Sequence, residues 1–590
     1  MDHREKWQLS VLLVAITIVA LMQIAGVGSI IPLLAAIADP EHIRDQVLIS
    51  YMSEFIYFPD TNSIVIFLAA FSLTLIVTSN VLSAFTAWFT FRFVWSVQSR
   101  LSTALLDRYL SHPYESLLGK NPAEAEKNVL EEVTIFTNGV MRPILRLIAS
   151  AVVVVVITLL LVVYNPVMAG ITVAFLGGGY IVTFLLVRQK LSGAGLRRID
   201  SNEDRFRTVN EAIRGVKEIQ VLGRNQEFVN RYHRPSRVYA TNTALQNVIA
   251  EIPRYTIEVL AFGSVLVIAL SIAITSGDLD EIIPLISIYA VAGYRLIPAM
   301  QRVYSDWSGI RFNRGVVEPL HRAYTEAEIS RSDEMMTGSG TIDFEKDIQI
   351  SDLSYRYPGS SEFVIDRLNL TIKRGHKVSF IGETGSGKTT LIDLLIGVLR
   401  PTSGSILIDD VELNTGNVRR WQNSIGYVPQ DYFLIDDSIA ANIAFGIDEA
   451  EIDIEAVRSA AKIANIDKFV MQELPEQYET EIGDAGVRLS GGQRQRIGIA
   501  RALYHKPSIL FLDEATSNLD QETENLVYEM LERVSQDMTV VIIAHRLKVT
   551  MSSDMIYVLG NGRLSGSGKY SEIVGTDGVL LAGYSDSSIP

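Results

Sequence analysis

The stretch FIGETGSGKTTL, residues 380–391, runs from an apolar strand end through a glycine-rich turn into the start of a helix. It fills the pattern G-x-x-x-x-G-K-[ST], in which glycines let backbone N–H groups point inward and the following helix presents its positive end to the same place. Lys388 is then placed to neutralise the β- and γ-phosphates of a nucleotide, and the Thr389 hydroxyl to ligate Mg²⁺. The predicted phosphate cradle consists of Gly382, Glu383, Thr384, Gly385, Ser386, Gly387, Lys388, Thr389 and Thr390.

A second stretch, SILFLDEATSNLD at 508–520, is an apolar strand that ends in two carboxylates. Asp513 is placed to bind Mg²⁺, and Glu514 is placed to act as general base toward the attacking water. A lone apolar strand that ends in Asp is otherwise a common buried strand end. LSGGQ at 489–493 lies shortly before it and opens a helix, whose N-terminus offers a second set of backbone donors to phosphate. Together these stretches favour a nucleotide site.

Composition indicates a membrane protein of more than one domain. The chain has 590 residues, 48% of them hydrophobic, and its mean hydropathy is +0.22. A formal charge of -15 argues against a general nucleic-acid binder, since phosphate backbones select basic surfaces. Cysteine is absent, which excludes a disulfide framework, a thiolate zinc site and a cysteine nucleophile. The apolar run after MDHREKWQLS has no small-residue cleavage site, so we predict a retained membrane span and not a signal peptide.

Uncharged runs predict six membrane spans. The runs 9–38 and 64–91 each exceed the ~20 residues that a bilayer core requires. The run 147–187 is of double length and is broken at Tyr164-Asn165-Pro166, a turn signal where a helical hairpin would reverse. The run 259–277 gives a fifth span, whereas 282–294 is short for a sixth. An even number of spans is nevertheless required if the basic N-terminus and the nucleotide site are both cytoplasmic.

The long charged loops are predicted to be cytoplasmic arms. The segment 188–237 holds twelve Lys and Arg residues, whereas the outer connections hold one, Arg44. The loop 92–141 and the loop between spans four and five predict pairs of helical legs, with short transverse helices near 112–126 and 214–228; ordinary solvated loops are the alternative. In the outer loop, HIRDQVLISYMSEFI at 42–56 predicts either an interfacial amphipathic helix or a helix packed on the outer rim.

Arg254, Arg295 and Arg302 lie in or beside the last two predicted spans, where charge is costly and tends to face a cavity or a partner. Arg295 and Arg302 are seven residues apart, hence on one helix face. They predict a cationic lining that attracts an anionic substrate group such as a phosphate. The alternative is that the arginines extend to the cytoplasmic interface or pair with acidic neighbours, namely Glu251, Glu258 or Asp306.

The cassette motifs together resemble those of the ATP-binding cassette transporters. GETGSGKT, Gln430 in GYVPQD, LSGGQRQR, ILFLDEATSNLD and His545 in IIAHRL match that family in order and spacing. The resemblance implies ATP and Mg²⁺ as cofactors, ATP hydrolysis coupled to transport, and an α-helical six-span membrane domain fused to an α/β P-loop nucleotide-binding domain, as in exporters. We place the membrane domain at 1–330, a linker at 331–340, the cassette at 341–575 and a tail at 576–590.

The same resemblance implies residue roles and a partner. Tyr357 would stack on adenine, Gln430 would ligate the metal and sense it for the membrane arms, and His545 would contact the γ-phosphate. The signature of one chain would close over the ATP held by a second chain, which implies a homodimer. That signature consists of Leu489, Ser490, Gly491, Gly492 and Gln493. Asn518 stands where the family usually has Ala, but the site motifs are otherwise intact, so both sites are expected to be active.

The segments 251–260 and 292–303 are similar to spans of bacterial lipid-linked oligosaccharide flippases of the PglK type. This similarity implies ATP-driven flipping of a polyprenyl-pyrophosphate-linked oligosaccharide across the bacterial inner membrane, with the N-terminus and cassette in the cytoplasm. The alternative is an exporter of drugs, lipid A or another amphipathic lipid. A peptide exporter with a cysteine protease domain is excluded by the absence of cysteine, and a soluble cassette ATPase by the six spans. A regulated channel is disfavoured because the motifs of the ATP site are intact.

Overall fold

The computed structural model describes residues 3–38, 58, 60–118, 122–164, 166–275, 282–334, 340–342, 344–483, 486–513, 521–544 and 550–573. The chain forms two compact units. The first comprises Met1–Ser111 and Gly119–Glu328, and the second comprises His112–Leu118 and Ile329–Pro590. The second unit therefore includes a short segment that the sequence places between two helices of the first.

The described part of the chain before the cassette is helical. Its α-helices are α1 (His3–Gly28), α2 (Ile30–Ala38), α3 (Thr61–Leu110), α4 (Tyr114–Leu117), α5 (Pro122–Lys127), α6 (Val133–Phe136), α7 (Arg142–Tyr164), α8 (Pro166–Arg214), α9 (Val216–Val221), α10 (Asn225–Thr275), α11 (Ile282–Asn313) and α12 (Val317–Glu334). Two π-helical turns, Asn128–Glu132 and Thr137–Met141, separate α5, α6 and α7.

The predicted arms are long helices. Helices α3, α8 and α10 have 50, 49 and 51 residues, and at 1.5 Å per residue each is roughly 75 Å long, more than twice the thickness of a bilayer core. Asp60 starts α3 by accepting a hydrogen bond from the Ser63 backbone N–H at 3.0 Å. The short helices α4 and α9 occupy the predicted tips. Helical legs are thus confirmed, and the alternative of ordinary solvated loops is wrong.

Three helices among the described residues are long and apolar enough to cross a membrane: His3–Gly26, Asn62–Leu110 and Pro122–Val163. The other predicted spans fall within α8, α10 and α11, so the count of six stays a prediction. The predicted hairpin break is seen between Tyr164, where α7 ends, and Pro166, where α8 begins. Helix α12 continues to Glu334 and so occupies the first four positions of the predicted linker 331–340. The predicted outer helix at 42–56 lies outside the described residues.

Helices of the first unit pack closely where small residues allow it. Helix α8 packs along α10 and also contacts α11. At Gly195 on α8, an added Cβ would lie 2.0 Å from the Phe312 carbonyl oxygen of α11. The two helix backbones therefore touch at a point where no side chain fits. Arg146 of α7 and Asp306 of α11 form an ion pair in the same unit.

The cassette has two sheets. Its strands are β1 (Asp347–Tyr355), β2 (Ile365–Lys373), β3 (Lys377–Gly382), β4 (Ser403–Ile408), β5 (Val411–Glu412), β6 (Ile425–Val428), β7 (Ile509–Asp513), β8 (Thr539–Ile543), β9 (Met555–Gly560) and β10 (Arg563–Gly568). One sheet is antiparallel with the order β2-β1-β4-β5. The other has the order β10-β9-β3-β8-β7-β6 and is parallel except for β10.

The central strands of the parallel sheet are apolar because the sheet is covered on both faces. Every residue of β7 and β8 is buried, as expected for apolar runs covered on both faces. The cassette helices are α13 (Lys388–Leu395), α14 (Val418–Gln422), α15 (Ile439–Ile443), α16 (Ile454–Ile463), α17 (Asp467–Glu473), α18 (Gly491–Leu503), α19 (Gln521–Val534) and α20 (Tyr570–Ile573). Helices α15 to α18 form the predicted helical part between β6 and β7. The predicted α/β cassette with a helical subdomain is confirmed.

We expect Gly195→Ala to destabilise the first unit, which is called the membrane unit below. The new methyl group meets backbone that cannot rotate away. A loss of about 1–3 kcal/mol should lower the midpoint of thermal unfolding of the purified protein. Gly178→Ala on the same helix is the matched control, since its Cβ meets nothing within 4 Å, and alanine there should be neutral or stabilising. Equal midpoints for the two variants would contradict the close contact of α8 and α11.

Candidate functional site

The phosphate cradle joins the end of β3 to the start of α13. Gly387 has φ +98, in the left-handed region, and an added Cβ would lie 2.8 Å from the Val364 carbonyl oxygen. At Gly382 an added Cβ would lie 2.2 Å from the Leu559 carbonyl oxygen of the neighbouring strand β9. Gly382 also has a positive φ, +153, so both positions require glycine for conformation and for space. The loop backbone is thus held in a tight curve above the N-terminus of α13.

The polar side chains of the cradle fit a phosphate ligand. Lys388 is buried, and its Nζ donates to the carbonyl oxygens of Gly382 at 2.9 Å and Glu383 at 2.7 Å. Ser386 Oγ is buried and has no hydrogen-bond partner among the described residues. A buried hydroxyl left in that state costs about 1–3 kcal/mol, and a phosphate oxygen would satisfy it. The cradle thus holds both a cation and an unsatisfied donor.

The strand ends bring oxygen ligands to the same edge of the sheet. Asp513 ends β7 and is buried, and its Oδ1 lies 3.5 Å from the Thr389 hydroxyl on α13. A carboxylate and a hydroxyl that face each other are a fitting pair for Mg²⁺. Gln430 follows β6, the strand next to β7, and is exposed. Glu514 and His545 lie outside the described residues, so their roles stay predictions.

A carboxyl group that the sequence reasoning missed lies beside this pair. Asp393 is on α13, and burial, followed by the charge of Asp513, raises its pKa to about 6. It stands four residues after Thr389, hence on the same helix face. That spacing from a predicted metal ligand was the signal that could have identified it.

Tyr357 lies beside Thr390, the last residue of the cradle. Its hydroxyl is 3.0 Å from the Thr390 hydroxyl, and its half-buried ring packs edge-on against Tyr355 with centroids 5.1 Å apart. The structure thus connects the predicted adenine-stacking aromatic to the phosphate cradle by a hydrogen bond.

The signature stretch begins a regular helix. Ser490 caps α18: its hydroxyl accepts from the Gln493 backbone N–H at 3.3 Å, and the Gln493 side-chain oxygen accepts from the Ser490 backbone N–H at 2.7 Å. This reciprocal capping box fixes the first turn. Leu489 is buried and anchors the turn to the helical core. Gly491 is exposed and Gly492 partly so, which leaves the N-terminus of the helix open at its surface.

The membrane unit contains a cavity of about 450 Å³ lined by two of the three predicted arginines, Arg295 and Arg302. Arg146, which the sequence reasoning missed, also lines it, and it directly precedes the uncharged run that begins at Leu147. Asp306 pairs with Arg146 and not with Arg302. Other polar lining residues are Gln23, Ser83, Thr86, Thr90, Ser150 and Tyr294. Arg254 is exposed and is not among the lining residues that the structure describes.

The cationic groups of the cavity are incompletely paired. Arg295 is half-buried, and its Nε is buried with no hydrogen-bond partner within the described part of the chain. None of the described lining residues is a carboxylate. Gln23 donates to the Ser83 hydroxyl at 2.6 Å, so part of the neutral lining is satisfied internally. The remaining walls are apolar, with Val19 and Leu145 among them. The cavity therefore combines unsatisfied positive charge with hydrocarbon surface.

Both halves match known families. Residues 9–291 match the ABC transporter transmembrane region, and residues 365–517 match the ABC transporter family of ATP-binding domains. The chain belongs to the ABC transporters. A solved structure of a bacterial Atm1-family ABC exporter with ATP bound is similar over 98% of this transporter and 100% of that chain, with a TM-score of 0.76 and 19% sequence identity. The predicted fold class, a helical membrane domain fused to a P-loop cassette, is thereby confirmed.

Curated relatives resemble the transporter over part of their length. ABC transporter B family member 29, chloroplastic, of Arabidopsis thaliana is 37% identical over 311 residues, which are 52% of this chain and 48% of that protein. The ATP-dependent lipid A-core flippase of Ralstonia nicotianae is 40% identical over 275 residues, which are 45% of this chain and 46% of that protein. The chain thus spans about half the length of these two relatives.

We expect the stability of the transporter, free of nucleotide and with EDTA present, to depend on pH through Asp393. The unfolded state has the ordinary pKa of 3.8 and the folded state a pKa of about 6. As pH rises between these values the unfolded state releases its proton first. The free energy of unfolding therefore falls by about 1–2 kcal/mol once solvent screening is included. Asp393→Asn should remove this loss and raise the unfolding temperature at pH 7.5.

At pH 4 the gain should be only a small part of that at pH 7.5, because Asp393 is then protonated in the folded state and only partly ionised in the unfolded state. Asp467→Asn gives the comparison for loss of a carboxylate elsewhere in the cassette. A gain for Asp393→Asn that is equal at both pH values, or absent at pH 7.5, would contradict the raised pKa.

Proposed function

We propose that this transporter is an ATP-driven exporter of an amphipathic lipid with a phosphate-bearing headgroup, and that its specific substrate is a polyprenyl-pyrophosphate-linked oligosaccharide moved across the bacterial inner membrane. The observation that carries the proposal is the cavity in which Arg146, Arg295 and Arg302 meet apolar walls. Export activity, substrate and location all belong to this proposal, with the N-terminus and cassette in the cytoplasm.

The unsatisfied charge of the cavity favours an anionic headgroup. Asp306 pairs with Arg146 and also lies close enough to Arg302 for their charges to interact, but none of the described lining residues is a carboxylate, and Arg295 has no ion-pair partner among the described residues. Guanidinium groups bind phosphate oxygens through paired hydrogen bonds, and these are stronger where water is partly excluded. A pyrophosphate offers two phosphoryl groups to such a lining. The cavity arginines would instead repel a cationic drug.

The apolar part of the lining suits the substrate portion next to the headgroup. Leu145, Val19 and Val153 present hydrocarbon to the same space. A lipid-linked glycan and lipid A share this combination of phosphate and acyl or polyprenyl chain. The relative named an ATP-dependent lipid A-core flippase supports the lipid class, and the similarity of 251–260 and 292–303 to oligosaccharide flippases favours the polyprenyl substrate.

In this proposal each cassette residue has a distinct role in ATP hydrolysis. ATP supplies the free energy when its phosphates are bound, with Mg²⁺ to neutralise them. Lys388 and the cradle N–H groups would hold the phosphates, and Thr389, Asp513 and Gln430 would hold the metal. Tyr357 would position the base. Ser386 would donate its unsatisfied hydroxyl.

The proposal also assigns the attack of water and the partner. Glu514 would accept a proton from the water, and His545 would orient the γ-phosphate. The exposed first turn of α18, with Ser490, Gly491, Gly492 and Gln493, would complete the site of a second copy. The active form is therefore proposed to be a homodimer with two composite sites.

Glu514→Gln should bind ATP with unchanged affinity but hydrolyse it at least about 100-fold more slowly, since the amide cannot accept the proton from water. Radiolabelled ATP binding and phosphate release measure the two quantities. Glu529→Gln removes an exposed carboxylate of α19 and is the matched control. Phosphate release within about twofold of the parent in Glu514→Gln would refute the assigned base.

The double variant Arg295→Ala with Arg302→Ala should lower glycolipid flipping in liposomes at least about tenfold while basal ATP hydrolysis persists, because two charge-assisted phosphate contacts are lost. The control is Arg234→Ala with Arg237→Ala, which removes the same charge from exposed positions of α10. The assay follows a polyprenyl-pyrophosphate glycan, lipid A and a cationic drug in parallel.

Transport of the glycan alone supports the specific proposal. Transport of lipid A alone would show that lipid A, and not the glycan, is the substrate. Transport of the drug with neither lipid would overturn the whole proposal. Undiminished flipping by the cavity variant would show that the arginines do not bind the headgroup.

A further inference from the structure

Asp306 is a buried carboxylate that stands beside the arginines of the membrane-unit cavity. It is 2% exposed, and its Oδ1 accepts a hydrogen bond from Nη2 of Arg146 on α7. Its Oδ2 is also buried and has no hydrogen-bond partner among the described residues. A carboxylate is costly to bury unless positive charge and hydrogen bonds compensate it. Asp306 therefore keeps one unused acceptor inside the unit.

Positive charge reaches Asp306 from two helices. Besides Arg146, the charges of Arg142 and Arg302 lie close enough to act on it. Arg142 is on α7, where its guanidinium carbon lies 4.2 Å from the centroid of the Phe91 ring. Arg302 is on α11, one helical turn before Asp306. One negative charge thus faces three positive ones, and the surroundings stay positive.

Helix α11 carries these charges on one face. Arg295, Arg302 and Asp306 are separated by seven and four residues, spacings that return to the same side of a helix. The two arginines line the cavity. Arg146, which Asp306 holds, lines the same cavity from α7. Asp306 is not among the described lining residues, so it acts on the cavity through the arginines beside it.

An anion in the cavity competes with Asp306 for Arg146. The side chain of Arg146 is 48% exposed, and a guanidinium carries five N–H donors, so the ion pair leaves donors for a ligand. Phosphate oxygens are acceptors of the same kind as carboxylate oxygens, and both bind a guanidinium in the same geometry. A carboxylate fixed beside the cation competes at high effective concentration. Asp306 therefore weakens the binding of a phosphate headgroup.

We propose that Asp306 is a positioning residue that sets the affinity of the cavity for the phosphate-bearing headgroup, because it holds the Arg146 guanidinium against the competing phosphate. This inference rests on the proposed function and deepens it, since it assigns control of affinity at the same site. A headgroup bound by Arg146, Arg295 and Arg302 without competition would dissociate slowly, because differences in affinity appear mainly in the dissociation rate. Asp306 keeps the headgroup releasable.

The test measures the Kd and the dissociation rate of a radiolabelled polyprenyl-pyrophosphate glycan, or of lipid A if transport selects it. The full-length transporter is held in nanodiscs without nucleotide. Asp306→Asn keeps the shape of the side chain and an oxygen that can accept from Arg146, but it removes the charge. The Kd should fall about threefold to tenfold and dissociation should slow by a similar factor. A merely structural loss would weaken binding instead.

Arg146 identifies the route of the effect. Arg146→Gln should raise the Kd about threefold to tenfold, because the charge of Asp306 is then left to act on Arg302. The double variant Asp306→Asn with Arg146→Gln should bind within about twofold of the parent, since a neutral pair has been removed. A Kd of the double variant as low as that of Asp306→Asn alone would overturn the role of Arg146.

The matched control is Glu132→Gln. Glu132 is equally buried in the membrane unit, at 2% exposure, and is not among the described residues that line the cavity. Its replacement removes the same charge and should leave the Kd within about twofold of the parent. An equal fall in Kd for Glu132→Gln would attribute the effect to net charge and overturn the inference. An unchanged or raised Kd in Asp306→Asn would overturn it too.

The double variant Arg295→Ala with Arg302→Ala separates this inference from the function on which it rests. A raised Kd there beside an unchanged Kd in Asp306→Asn would leave headgroup binding standing and overturn the role of Asp306. An unchanged Kd in the arginine variant would refute the headgroup contact, and the inference would fall with it. A raised Kd in the arginine variant and a lowered Kd in Asp306→Asn support both.

Discussion

The cassette depends on one constraint, the close approach of backbone to backbone around the end of β3. Gly382 lies against the Leu559 carbonyl and Gly387 against Val364, with no room for a Cβ at either. This contact fixes where the loop curves, and hence where Lys388 and the N-terminus of α13 point. Since neighbouring parallel strands end at the same edge, Asp513 lies beside Thr389 of α13, and Gln430 follows the next strand at that edge.

The membrane unit is organised by the cost of unpaired charge in an apolar setting. Arg146 is paired with Asp306, whereas the buried Nε of Arg295 has no hydrogen-bond partner among the described residues. A protein keeps such a group where a ligand or water can reach it. The cavity beside it supplies that access.

The hydrogen bond between Tyr355 and Glu115 differs in character from either site. It contains no group that would touch the reacting atoms, and its members come from a strand and a helix distant in sequence. Burial strengthens the hydrogen bond to Glu115, and the surrounding ring contacts are closely packed.

The sequence by itself determined the cassette, its cradle and the helical arms, because local patterns encode them: glycine spacing, apolar strand runs and long charged helices. It also identified Arg295 and Arg302, since charge stands out in an apolar run. Only the tertiary structure decided three further features. These are the place of Arg146 in the cavity and its pairing with Asp306, the raised pKa of Asp393, and the bond between Glu115 and Tyr355. Each depends on which distant segments pack together and on how much water they exclude, and neither quantity is local in sequence.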